Sequence, residues 1–252
     1  MSSFQPVVAA QRNHRPVVEG KCHRREEYRH SKFPLKERPK PLIHVGSQPI
    51  LETILKNFKD YGFRRFFIAV HYKNEMVRRH FGDGARWGVE IRYLKESKPL
   101  GTAGALGFLP AVPKLPLIVM NGDLLTNIHF DQLLSFHKAG RAAATMGVRE
   151  YDFQVPYGVI KIKNDSILTI DEKPVQRFFV NAGIYLLEPR TLRLLPKNKP
   201  FDMTQLFERL IKSKERIAAF PIREYWLDIG QMDDLKRANG EFARVFGVNN
   251  VL

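Results

Sequence analysis

The chain reads as an α/β protein with a mostly parallel central sheet, helices on both faces and a small antiparallel hairpin extension. Three observations point there. Apolar runs of strand length, such as residues 66–70, show no polar alternation, as strands covered on both faces require. Amphipathic helical stretches separate those runs, giving the βαβ rhythm of a parallel sheet. Later in the chain, residues 159–162 and 167–170 flank the turn residues Asn164, Asp165 and Ser166, the pattern of a hairpin.

Taken in order, residues 1–38 are polar and rich in His and Arg, with only short apolar pieces at 7–10 and 16–18. They are expected to be a basic, irregular segment preceding one domain over residues 39–252. Ile50, Leu51, Ile54, Leu55 and Phe58 recur at helical spacing after Pro49 and stop at Gly62. The strand at 66–70 follows, then a charged helix over 74–81 that ends in Gly82-Asp83-Gly84, then a strand over 89–94. Residues 115–120 predict a strand, 130–137 a helix and 143–148 a strand. After the hairpin come a strand over 180–187, a helix over 203–213 capped near Asp202, and a short strand over 218–222.

With 252 residues and 44% hydrophobic content, the chain can bury one large core. Its apolar runs are too short to span a bilayer and its start shows no secretory apolar stretch, so a cytoplasmic protein is expected. Cys22 is the single cysteine and can form no internal disulfide. The net charge of +15 suggests anionic partners, and residues 1–40 carry +6 of it through ten Lys and Arg against four Glu. No basic run alternates with aromatics as a single-strand groove would, so nucleic-acid binding through residues 1–40 is the runner-up class only.

Chemistry is expected in loops that follow buried strands. Asn121-Gly122-Asp123 places a carboxylate beside a glycine at a strand end, suited to a hard cation such as Mg²⁺ carrying phosphate, or simply to a capped turn. Tyr225-Trp226-Leu227-Asp228-Ile229-Gly230 offers a second carboxylate that could share that ion. Glu172 and Lys173, followed by Asn181, combine a point positive charge for phosphate with acceptors and donors for sugar hydroxyls. Leu100-Gly101-Thr102-Ala103-Gly104 is a glycine-bearing loop able to press backbone against a base or ribose.

In sequence order these pieces form a set. Pro39-Lys40-Pro41-Leu42, the 100–104 loop, Asn121-Gly122-Asp123, Tyr157-Gly158-Val159, Asp171-Glu172-Lys173-Pro174, Val180-Asn181-Ala182-Gly183 and Trp226-Leu227-Asp228-Ile229-Gly230 resemble the sugar-nucleotide pyrophosphorylases. These are sugar-1-phosphate nucleotidyltransferases of Rossmann-like fold, and the match is closest to their mannose-1-phosphate guanylyltransferase branch. The resemblance runs from about residue 38 to 242 and is specific as an ordered combination. It implies that a sugar 1-phosphate oxygen attacks the α-phosphorus of an NTP, giving an NDP-sugar and pyrophosphate.

By the same resemblance, Asp123 and Asp228 hold Mg²⁺, Lys40 neutralises the NTP phosphates and Lys173 binds the sugar phosphate. Tyr157, Gly158, Glu172, Asn181 and Trp226 line the sugar pocket, and Leu100, Gly101, Thr102 and Gly122 lie along the nucleotide. Glu96 falls where relatives face the base. An acceptor-only carboxylate there suits the paired donors of guanine, which favours GTP, unless Glu96 is a plain strand-end residue. The nucleophile is already largely ionised, since the second phosphate pKa is about 6, so none of the eight histidines needs a catalytic role.

One departure is severe. Relatives open with a strand and a GGxGTRL turn about fifteen residues before the Pro-Lys-Pro-Leu, a backbone cradle for triphosphate. The window at residues 23–36 holds no glycine, and Gly20 is the only glycine among the first 45 residues. Arg24, Arg25 and Arg29 could supply charge in its place. A replacement grip, a frame-shifted start and an impaired paralogue that binds without turnover are the three expectations. The sugar and the oligomeric state, a homo-oligomer included, stay open.

Overall fold

The structure is a computed structural model that describes residues 5–9, 39–70 and 74–247. Strand β1 (Gln5–Ala9) opens it. The 3-10 turn Lys40–Leu42 leads to the small ladder of β2 (His44–Val45) and β3 (Gln48–Pro49), then α1 (Ile50–Asp60), β4 (Arg65–Val70), α2 (Asn74–Phe81) and β5 (Glu90–Lys95). The one-turn helix α3 (Gly101–Gly104), β6 (Leu117–Asn121), β7 (Leu124–Thr126), α4 (Phe130–Gly140) and β8 (Ala144–Gln154) follow. The chain continues through β9 (Val159–Lys163), β10 (Ser166–Asp171), β11 (Val175–Leu187), α5 (Met203–Lys212), β12 (Ile217–Pro221), β13 (Trp226–Asp228) and α6 (Met232–Phe246).

Seven strands form the main sheet in the order β12-β8-β11-β6-β1-β4-β5. All neighbours are parallel except where β11 runs antiparallel to β8 and β6. This corrects one expectation. Gln5–Ala9, assigned to the irregular segment, is a central strand, registered Val7 to Phe67 on one side and Val7 to Val119 on the other. Five residues isolated in a polar stretch give too little periodicity to declare a strand, and only pairing with β4 and β6 makes them one.

Buried strands alternate their side chains between two cores. Phe66, Ile68, Val70, Ile118, Met120, Ile184 and Leu186 face α1, α2, α4 and α6. Phe67, Ala69, Leu117, Val119, Tyr185 and Leu187 face α3 and α5. That is why the β4 and β6 segments lack polar alternation. The first core is anchored by Phe58 and Phe130, whose stacked rings lie 4.1 Å apart and tie α1 to α4. Helix α5 starts where Asp202 was expected to cap it, and the Asp202 N–H donates to Gln205 Oε1 at 2.8 Å.

Strands β8 and β11 are longer than their apolar patterns predict. Both are buried within the sheet and become exposed beyond it, over 150–154 and 175–179. The exposed halves form a ribbon whose end carries the hairpin β9–β10, so the expected hairpin extension is the tip of a projecting arm.

The topology locates the crevice. From β1 the chain builds outward through β4 to β5, then crosses back to β6 on the other side of β1. The switch point lies at the carboxyl ends of β1 and β6, where open α/β sheets bind ligands.

Candidate active site

Asp123 follows β6 at this switch point and is 1% exposed. The chain turns there into β7, which pairs antiparallel with β13 and sets Leu124 opposite Asp228. The ladder continues as the Ile229 N–H donates to the Asp123 carbonyl at 3.1 Å. Two carboxylates far apart in sequence thus sit one ladder step apart. Lys40 reaches them from the 3-10 turn, with Nζ 3.3 Å from Asp123 Oδ2. Pro39 precedes that turn in extended conformation, and the Ile43 N–H closes it on the Lys40 carbonyl.

The electrostatics follow from crowding. Burial pushes the Asp123 carboxyl up, against the Lys40 charge and hydrogen bond that pull it down. Asp228 keeps an edge open to solvent but is hemmed in by protein on its other sides. Desolvation first, and the Asp123 charge second, push it up to about 6, with Asp234 adding and Lys40 opposing. Two carboxylates that resist ionising together form a site that a divalent cation would relieve. Among the described residues no group of three or more His, Cys, Asp and Glu side chains gathers as a metal cluster. The remaining ligands would be phosphate oxygens and water, the usual manner for Mg²⁺.

A buried clamp missed in the sequence holds this centre in register. Thr126 Oγ1 donates to the Tyr225 carbonyl at 2.7 Å and accepts from the Ile128 N–H at 3.2 Å. Asn57 Nδ2, from α1, donates to the Thr126 carbonyl at 2.9 Å. Together they pin β7 to the segment entering Asp228. A lone Thr and a helix Asn carry no motif, so no sequence signal marks them.

Asn181, Gly183 and Trp226 converge beside the centre. Asn181 Nδ2 donates to the Tyr185 hydroxyl at 2.8 Å and its Oδ1 accepts the Gly183 N–H at 2.9 Å. A sugar hydroxyl would therefore meet the second proton or lone pair of this amide. Gly183 has φ +70°, and a Cβ there would fall 2.6 Å from Asn121 Nδ2, so only glycine allows the approach. The Trp226 indole spends its one donor on the Ala182 carbonyl at 2.9 Å, which leaves a ring surface to offer a ligand.

The nucleotide-side loop is clamped as well. Leu100 is fully buried, and its N–H donates to Glu96 Oε1 at 3.2 Å. Glu96 is itself buried, with at least one carboxylate oxygen turned to its own loop. The Thr102 N–H and hydroxyl both meet Asp202 Oδ1, at 2.9 and 3.3 Å, and that hydroxyl accepts the Met203 N–H. Gly101 has φ +84°, and a Cβ would collide with the Phe201 carbonyl oxygen. Thr102 therefore serves first as an anchor to α5, and Gly122 lies buried beside Asp123.

Tyr157, Gly158, Glu172 and Lys173 sit apart from this centre, on the arm. All four are exposed, Tyr157 to 72%. Gly158 faces Glu172, where a Cβ would lie 3.0 Å from Oε2, and Lys173 adopts left-handed φ at 45°. His137 is buried between Thr145 and Glu188, 2.7 and 3.2 Å from its two ring nitrogens, and burial lowers its pKa. It is a packing histidine. Arg24, Arg25, Arg29, Cys22 and the 23–36 window lie outside the described residues.

A mostly parallel sheet with paired carboxylates and a lysine at its switch point defines an α/β protein of the open, ligand-binding kind. Comparison with known proteins makes that specific: residues 33–244 match the Nucleotidyl transferase family, and the chain belongs to it. The mannose-1-phosphate guanyltransferase of Debaryomyces hansenii is 33% identical over 205 residues, covering 78% of this chain and 56% of that protein. The catalytic subunit beta of Drosophila pseudoobscura pseudoobscura mannose-1-phosphate guanylyltransferase is 32% identical over 205 residues, covering 78% and 54%. The chain thus spans little more than half the length of these curated relatives. HddC from Yersinia pseudotuberculosis shares the fold with a TM-score of 0.67 at 22% identity, over 95% of this chain and 99% of that one. A Bacillus anthracis chain assigned as a glucose-1-phosphate thymidylyltransferase superposes with a TM-score of 0.69 at 20% identity, over 94% of each chain.

Proposed function

We propose that this chain transfers guanylate from GTP to a hexose 1-phosphate, mannose 1-phosphate first, giving a GDP-sugar and pyrophosphate. The observation that carries this reading is the Lys40–Asp123–Asp228 centre at the sheet's switch point. The choice of GTP and mannose is supported by the names of relatives about one-third identical to the chain.

The phosphate oxygen of the sugar forms a new bond to the α-phosphorus as the bond from that phosphorus to the β-phosphate bridging oxygen breaks. Pyrophosphate departs with that electron pair. No side chain has to remove a proton, because the attacking oxygen is ionised near neutral pH. Catalysis reduces to positioning and charge neutralisation. Asp123 and Asp228 would hold Mg²⁺, which supplies charge neutralisation at the phosphates. Lys40 lies within reach of the same oxygens. Asn181 and the Trp226 ring border the sugar from the sheet side. Lys173 brings positive charge to the sugar phosphate, and Tyr157, Gly158 and Glu172 complete the pocket from the arm.

The test is pyrophosphate release by the purified chain with Mg²⁺, GTP and a panel of hexose 1-phosphates, beside Asp123→Ala. Turnover that prefers GTP and mannose 1-phosphate and vanishes in the variant is expected. Turnover with another pair would move the specificity and keep the chemistry. None with any pair, while sugar-phosphate binding persists, would overturn the enzyme reading.

A further inference from the structure

The sheet and the arm meet at an irregular step. Along their shared edge β11 advances from Asn181 to Tyr185 while β8 moves only from Val148 to Met146, so β11 carries a bulge at the arm's root. Bulges of this kind re-aim a side chain beside an active site. Here that side chain is Asn181, whose amide spans the bulge. Its Oδ1 accepts the Gly183 N–H at 2.9 Å and its Nδ2 donates to the Tyr185 hydroxyl at 2.8 Å. The orientation has one solution. A backbone N–H can only donate, so the amide oxygen must face Gly183 and the amide nitrogen must face Tyr185.

The two partners differ in what they contribute. Gly183 is part of the same bulge as Asn181, whereas Tyr185 is rooted in the core. It is 3% exposed, and its ring lies 5.8 Å from that of Phe207 on α5. Burial pushes its phenol up from the ordinary value, with the Asn181 hydrogen bond opposing and the Asp202 charge adding, so the hydroxyl stays neutral. Asn181 itself is exposed. A buried hydroxyl thus holds a surface amide in a single pose beside Trp226, whose indole N–H closes on the Ala182 carbonyl of the same bulge.

We propose that Tyr185 is a positioning residue for the sugar, fixing the Asn181 amide so that one proton and one lone pair meet the hydroxyls of a hexose 1-phosphate in a set direction. This rests on the proposed nucleotidyl transfer and adds to it a source of selectivity. Epimers of a hexose differ in the direction of one hydroxyl, and an amide that cannot turn favours the epimer whose hydroxyl meets it. An amide free to turn serves both. Asn181 touches the sugar, and Tyr185 acts through Asn181 alone.

The test compares the parent, Tyr185→Phe, Asn181→Ala and the double variant with Mg²⁺, GTP and a panel of hexose 1-phosphates. Tyr185→Phe keeps the ring on Phe207 and removes only the oxygen. The KM for the preferred sugar should rise about fivefold, the worth of one ordinary hydrogen bond, while kcat, the KM for GTP and the KM for the poorest epimer hold. The double variant should be no worse than Asn181→Ala, since the two residues share one contact. An unchanged KM, an equal loss with every sugar, or losses that add in the double variant would overturn the proposal and leave the nucleotidyl transfer standing. A parent chain that neither binds nor turns over any hexose 1-phosphate would overturn both. Should Tyr185→Phe fail to fold, the side-chain amide signal of Asn181 in NMR of the parent decides, identified by its loss in Asn181→Ala. An order parameter above about 0.6 is expected of a held amide, and one below it would overturn the proposal.

Discussion

The carboxylate centre and the arm divide the candidate site between two kinds of order. At the centre, Asp123 is buried, Lys40 is nearly so, and Asp228 is placed by a ladder that Thr126 and Asn57 lock. On the arm, Tyr157, Glu172 and Lys173 are exposed, in the bends that join β8 to β9 and β10 to β11. On the proposed function, charge that would meet phosphate is preorganised by the core, whereas recognition of the sugar would draw on exposed residues of the arm. Preorganised electrostatics costs no rearrangement at the moment of reaction. Pocket walls on a less supported element can close around different ligands, at a cost in precision.

The largest break in this contrast should come from Lys40→Met. Activity should fall about 10²–10³-fold, as when one preorganised charge-stabilising donor is lost. The metal-free protein should also lose about 3 kcal/mol at pH 7, because a buried carboxylate is left without its counter-charge. Pyrophosphate release and urea unfolding read the two effects. If activity falls and stability does not, Asp123 is not held by Lys40 as the 3.3 Å contact implies.

Lys173→Ala probes the other side. The KM for the sugar 1-phosphate should rise about tenfold, or about 1.4 kcal/mol, with kcat less affected. Stability should move by no more than about 0.5 kcal/mol, as for an ordinary surface position. A residue important to function yet silent in unfolding is what separates the arm from the centre. A shift in melting temperature equal to that of Lys40→Met would erase the distinction.

The sequence made these two regions legible to different degrees. Strands at 66–70 and 115–120 could be read because burial on both faces leaves continuous apolar runs, and helix α5 because Asp202 and its periodic apolar face mark it. Asp123, Asp228 and Lys40 could be singled out as a set, but their meeting depends on antiparallel pairing between residues a hundred positions apart, which no local pattern encodes. Strand β1 was hidden for the same reason. Thr126 and Asn57 were silent because their role lies in backbone carbonyls they happen to reach. The outer half of β8 alternates Tyr151 and Phe153 with polar residues, but that of β11 sets Phe178 beside Phe179 without alternation, so no partner for it and hence no arm could be read.

Thr126→Val tests the clamp. It removes a buried hydroxyl that donates to Tyr225 and accepts from Ile128, at a cost of about 1–3 kcal/mol. Because the same bonds align β7 with β13, the affinity for Mn²⁺ measured by titration calorimetry should weaken several-fold. Thr126→Ser should restore it. Loss of stability with unchanged metal affinity would reduce Thr126 to a core residue with no bearing on the centre.

The pH dependence of the metal-free protein isolates the centre from everything on the arm. Asp228 sits at about 6 in the folded state, above the ordinary 3.8 of an aspartate. Between those values the folded protein binds more protons than the unfolded chain, so this group's contribution to stability falls as pH rises. Its stabilising protonated form is fully present below about pH 4 and is lost through about pH 6. Other carboxylates act in the opposite sense, so the signature lies in a difference. Subtracting the Asp228→Asn melting curve from the parent curve should leave a slope that is negative from about pH 4 to 6 and flat above. Mn²⁺ affinity should rise over the same interval, with proton release on binding, since the ion requires the carboxylate. A flat difference curve would mean that solvent at the exposed edge of Asp228 screens it from Asp123. The two carboxylates would then act as independent charges, and the centre would be no more preorganised than the arm.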